Sequence, residues 1–148
     1  MDYRPFKRLP STYQLHYHFC FQTKFDRAVF ASWEHEEFLA EALRSICERN
    51  HYHLLDHKSE LDKLFCLLSL RPEYNISDVA RIVKTNLARE FNQRFAELAT
   101  TFKDRALWSI GYYVGSVGKA SKKVARQYID HQGQHHGVPD KESIEVMR

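Results

Sequence analysis

The chain has 148 residues, of which 43% are hydrophobic and 28% charged, and a formal net charge of +3. Those values fit one soluble globular domain with material for a core, and no apolar run approaches the length of a membrane span. The mild positive charge permits nucleic acid without arguing for it. Three scattered cysteines, Cys20, Cys47 and Cys66, form no CxxC pair, so reduced thiols in a cytoplasmic protein are expected rather than a disulfide framework.

Residues 1–12 read as an irregular basic arm with Arg4, Lys7 and Arg8 among prolines. Tyr13 to Thr23 is aromatic-rich and reads as a first strand, with His16 and His18 on one face and Leu15, Tyr17 and Phe19 on the other. Lys24 to Arg27 is a polar break. Ser32 is placed to cap a helix running to about Arg49, with Phe38, Leu39, Ala42, Leu43 and Ile46 as its apolar stripe. Tyr52 to His57 is a second strand and an edge candidate. Lys63 to Leu70 is a third, whose nearly unbroken apolar run predicts a central position covered on both faces. Ser77 is read as the cap of a second helix, Asp78 to about Leu98, buried through Val79, Ile82, Val83, Leu87, Phe91 and Phe95. A loop over residues 100–106, a fourth strand over Ser109 to Val117, and a basic helix ending at Gln132 follow. Residues 134–148 read as a mobile tail after a single domain, 13–133. The order of the first six elements predicts an α+β, ferredoxin-like βαββαβ antiparallel sheet, with an added C-terminal helix that carries Tyr128. Fold alone does not give function.

Tyr128 and Gln132 share one face of that last helix, one turn apart. The segment Leu107-Trp108-Ser109, Gly111-Tyr112-Tyr113-Val114, Ser116-Val117-Gly118 and Tyr128-Ile129-Asp130-His131-Gln132 resembles the small single-tyrosine transposases of bacterial insertion sequences and their REP-associated relatives, within the HUH superfamily. His18 to Arg27 resembles the family's opening, and Asp62 to Pro72 fits its third strand.

The resemblance implies a homodimer that binds single-stranded DNA with hairpins and performs DNA transposition. In the family the helix tyrosine attacks a phosphodiester and keeps the 5′ phosphate as phosphotyrosine. A Mg²⁺ or Mn²⁺ ion held by two strand histidines and the glutamine assists it. By that pattern Tyr128 is the nucleophile and Gln132 a metal ligand, but the histidine positions fall on Lys63 and Phe65. Lysine while protonated offers no lone pair and phenylalanine ligates nothing. A glutamine alone is a poor divalent site.

Two ways around the gap were open in the sequence. His16 and His18, or His51 and His53, have the i, i+2 spacing of a substitute site, with the first strand expected beside the third. Alternatively the Lys63 ammonium neutralises a phosphate directly, favouring binding over cleavage. Phosphate contacts were expected from Lys63, Arg81, Lys84 and Arg89, and from Lys119, Lys122, Lys123 and Arg126 on the last helix. Trp108 was expected in the core or an interface, not stacked on a base. The competing readings are an active transposase with an altered metal site, a domesticated DNA-binding regulator without cleavage, and an unrelated RNA-binding or scaffold domain. The last lacks an RNP-type aromatic motif.

Overall fold

The computed structural model describes residues 6–8, 11–13, 15–101 and 106–117. Strands β1 (Phe6–Arg8) and β2 (Ser11–Tyr13) pair antiparallel, Phe6 against Tyr13. An irregular arm was expected here; pairing lets each segment satisfy the other's backbone groups. The main sheet follows as β3 (His16–Gln22), β4 (His53–Glu60), β5 (Lys63–Ser69) and β6 (Tyr113–Val117). Its order is β4-β5-β3-β6 and every pairing is antiparallel. With helices α1 (Trp33–Arg49) and α2 (Ile76–Arg94) as its two crossovers, this is the expected βαββαβ arrangement.

Register sorts the side chains into two faces. Phe19, Phe21, Leu64, Cys66 and Leu68 meet the buried stripes of the helices, Leu39, Leu43 and Ile46 from α1 and Val79, Val83, Leu87 and Phe91 from α2. The alternate residues Cys20, Phe65 and Leu67, with Leu55 and Tyr113, form a second apolar cluster on the opposite face. Every residue of β5 is buried, which is why its sequence shows no alternation. Strand β4 is an edge, as expected, and carries a bulge at Leu55.

Local chemistry sets the boundaries. Ser32 Oγ accepts from the His35 amide at 3.3 Å to start α1, and Asn50 donates back to the Ile46 carbonyl at 2.8 Å to end it. Helix α2 begins two residues before the sequence reading placed it. Asn75, not Ser77, is the cap, its Oδ1 accepting from the amides of Ser77 and Asp78. Phe95 leaves helical geometry and its ring packs on His35, Phe38 and Phe91, so the expected continuous helix divides and α3 (Ala96–Thr101) follows.

The fourth strand is shorter than expected, because residues 106–112 form a connector clasped to α2. Lys84 Nζ donates to the carbonyls of Ser109 and Gly111, each at 2.8 Å. In return Trp108 Nε1 donates to the Lys84 carbonyl at 3.0 Å. Gly111 sits at φ +88°, a conformation that side chains oppose. Partial burial holds the Lys84 ammonium below its usual pKa, so its charge is desolvated and its two acceptors compensate. Lys84→Met keeps the stem but leaves the half-covered Ser109 carbonyl without its donor, while the exposed Gly111 carbonyl turns to water. It should lower stability by about 1–3 kcal/mol in urea unfolding, with the fold retained.

Candidate functional site

Lys63, Phe65, His16 and His18 share the sheet face turned away from α1 and α2, because Gln22 pairs with Lys63, Cys20 with Phe65, His18 with Leu67 and His16 with Ser69. Lys63 is only 4% exposed. Its Nζ contacts both carboxylate oxygens of Asp62 at 2.9 Å. A buried cation needs a counter-charge, and the residue directly before Lys63 supplies one, so a phosphate would have to compete with Asp62 for this ammonium. Phe65 is fully buried in the second apolar cluster.

These residues do not fit the divalent ion that the family resemblance implies. Position 63 presents an ammonium bound to a carboxylate, and position 65 presents a hydrocarbon ring with apolar neighbours. Among the described residues no group of three or more His, Cys, Asp or Glu side chains gathers as a metal site would require. His16 and His18 do lie one strand away from β5, as expected, and they are buried to 2% and 4% exposure. His18 meets the Tyr113 ring edge-on, centroids 5.3 Å apart. His51 falls in the turn after α1, at φ 59°, and not on a strand, so it shares no strand face with His53. Two open hollows, of about 470 and 490 Å³, lie along α1 and β4 instead, and neither touches Lys63 or Phe65.

The basic residues of α2 are not brought to Lys63. They belong to the helix layer on the other face of the sheet. Lys84, expected as a phosphate contact, donates to the connector. Arg81 is exposed and lies 3.6 Å from Asp78, a surface pair worth little. Arg89 is exposed and donates to Asn86 Oδ1. Lys119, Lys122, Lys123, Arg126, Tyr128 and Gln132 lie outside the described residues. Trp108 is buried in the core, as expected. Sequence reasoning missed the Asp62 partnership, although an Asp-Lys step at a strand entry is its signal. It also passed over Phe25 as part of a polar break, although Phe25 is 74% exposed.

The thiols offer no nucleophile. Burial pushes Cys20 and Cys47 up to about 12, and Cys66 well above its ordinary value. Burial also lowers His18 from 6.5 to about 4. An unfolded chain therefore takes up this proton near pH 6.5, while the folded chain stays neutral until about pH 4. The unfolded state binds more protons in that window, so stability falls as pH is lowered through it, by about 3 kcal/mol in total. His18→Phe, which keeps the edge contact with Tyr113, should flatten this part of the denaturation-versus-pH profile relative to the parent chain.

Comparison with known proteins places this geometry. The sequence profile of the family described as "Transposase IS200 like" matches residues 11–132. The transposase for insertion sequence element IS200 of Salmonella typhimurium is 29% identical over 116 residues, spanning 78% of this chain and 75% of that protein. The ISDra2 transposase TnpA of Deinococcus radiodurans is 26% identical over 120 residues, 81% of this chain and 85% of that one. A crystal structure described as a transposase from Deinococcus radiodurans R1 superposes with a TM-score of 0.71 at 28% identity, covering 85% of this chain and 96% of that chain. A REP-associated tyrosine transposase bound to a REP hairpin shares the fold, with a TM-score of 0.57 at 14% identity over 84% and 70% of the two chains. With most of its length matched by the family profile, this chain belongs to the IS200-like transposase family.

Proposed function

We propose that this transposase-family chain binds single-stranded DNA carrying hairpins, as a homodimer, and does not cleave it through a metal-assisted step. The observation that carries this reading is the pair of residues at the metal-ligand positions: Lys63 held by Asp62, and Phe65 sealed in an apolar cluster. Cleavage in the family forms a bond between tyrosine oxygen and phosphorus and expels the 3′ oxygen of the strand. Negative charge grows on the phosphate during that exchange and must be met by fixed positive charge. In this chain Tyr128 holds the nucleophile's place in the family segment, with Gln132 four residues on in the sequence. An ammonium already neutralised by Asp62 is a weak substitute for a divalent ion.

Binding makes smaller demands. Exposed cations attract the backbone without fixed geometry, and Arg81 and Arg89 supply them; the sequence adds Lys119, Lys122, Lys123 and Arg126. A transposition regulator that occupies the ends of an element without cutting them fits this balance. So does the hairpin in the REP-associated relative, a protein of the same fold.

The test mixes the protein with hairpin-bearing single strands of varied end sequence, with Mg²⁺ or Mn²⁺, and resolves products on a denaturing gel. Salt-sensitive binding with no covalent adduct is expected. A metal-dependent adduct that disappears in Tyr128→Phe would overturn the reading. The double variant Lys63→His, Phe65→His is expected to gain an adduct; no gain in a folded double variant would place the loss elsewhere in the chain.

A further inference from the structure

One end of the sheet gathers the end of β3, the β4–β5 turn and the connector before β6. Thr23 N donates to the Asp62 carbonyl at 2.9 Å, Phe30 N to the Leu61 carbonyl at 2.9 Å, and Ser109 N to the Gln22 carbonyl at 2.8 Å. This is also the end that holds Lys63. Three large apolar side chains stand exposed on these segments: Phe25, Leu61 and Ile110.

Phe25 is the unusual one. It lies in a 3-10 turn, Lys24–Asp26, at φ 57°, and Asp26 follows at φ 54°. Two consecutive non-glycine residues in the left-handed region cost free energy that surrounding contacts must offset. Burial of the ring does not offset it, because 74% of Phe25 remains exposed. What holds the turn is polar: Thr23 Oγ1 donates to the Arg27 carbonyl at 2.7 Å, and Gln22 Nε2 donates to Asp26 Oδ1. Two cations lie over the ring, Lys24 Nζ at 5.4 Å and the Arg27 guanidinium at 5.1 Å from its centroid, and Arg27 Nη1 also donates to the Ala106 carbonyl at 3.4 Å.

We infer that Phe25 is a stacking platform for an unpaired base of a single DNA strand, with Lys24 and Arg27 meeting the phosphates on either side of it. The inference rests on the DNA-binding reading above and adds the residue that senses single-strandedness. An exposed aromatic ring with two cations beside it matches the alternation of base and phosphate along an unpaired strand, the incoming base taking the place of a cation over the ring. A duplex offers no free base face and has no use for it. The strained backbone keeps the ring presented to solvent instead of collapsed onto the sheet.

Fluorescence anisotropy with two labelled DNAs tests this, one a blunt hairpin closed by a non-nucleotide linker in place of loop bases and the other the same hairpin with a single-stranded extension. Phe25→Ala should weaken binding of the extended hairpin by about tenfold or more and leave the blunt one within twofold (about 0.4 kcal/mol). Phe25→Trp should restore it. If the parent chain binds both DNAs and Phe25→Ala binds the extended one equally well, the platform is wrong and the DNA-binding reading survives. Equal weakening on both DNAs also overturns it, since the residue would then not distinguish single strands. If the parent chain binds neither DNA, the reading beneath falls and takes the platform with it. A change in self-association by sedimentation velocity, with DNA binding unchanged, would assign Phe25 to a contact between copies and overturn the inference.

Discussion

Strand β5 is hydrogen-bonded on both edges and buried on both faces, and this constrains what its residues can be. A cation in such a strand costs several kcal/mol of desolvation unless a counter-charge is at hand. Lys63 meets that condition because it is the first residue of the strand, next to the turn that carries Asp62. Phe65, two residues further in, has no such outlet. Its cross-strand partners are Cys20 and Lys58, and the cluster around it contains Leu55, Leu67 and Tyr113. A pair of imidazoles needs a polar, ion-sized opening on this face. Here the environment at position 65 is apolar as well as the side chain, so the departure from the family pattern is a property of the packing and not of two isolated residues.

The same two-sided burial separates the charges. Lys63 faces away from the helices, while Arg81 and Arg89 stand on the solvent side of α2, across the thickness of the sheet. The place where the two layers meet is the end of the sheet, where the connector runs from Trp108 to Gly111 beside Gln22 and Thr23. Lys84 fixes that connector from α2 with two hydrogen bonds, so it shapes the rim without presenting its charge. A strand of DNA that touched both α2 and the Lys63 end would have to turn around this rim.

Much of the fold was legible because period and burial agree. The nearly unbroken apolar run of β5 predicted a strand covered on both sides, and the stripes of α1 and α2 predicted which layer would do the covering. The edge position of β4 and the β3–β5 adjacency followed from the βαββαβ order. Boundaries were less legible where several residues could do one job. Asn75, Ser77 and Asp78 are all capping types, and Asn75 wins because its oxygen reaches two amides. The division at Phe95 depends on rings contributed by α1, which no local pattern encodes. At the site, the loss of metal-ligand character at 63 and 65 was legible from residue chemistry alone. The sequence did not reveal the commitment of Lys84, nor the burial of His16 and His18, since both depend on what folds over them.

The residues present separate two physical tasks that the family combines. Attraction of a DNA backbone is long-range and additive over cations, and it tolerates displacements of an ångström or more. Stabilising a phosphate as it exchanges ligands needs concentrated charge fixed at one place, and small displacements there cost orders of magnitude in rate. With a paired lysine at position 63 and a buried phenylalanine at position 65, the described residues gather no concentrated charge at that place, while Arg81 and Arg89 stand exposed on α2. The Lys63–Asp62 pair goes further, because a neutral pair at that point neither attracts nor repels a phosphate strongly. The exposed Arg81 and Arg89 stand on α2 and the buried Lys63 is paired, so the two tasks would draw on different parts of the chain.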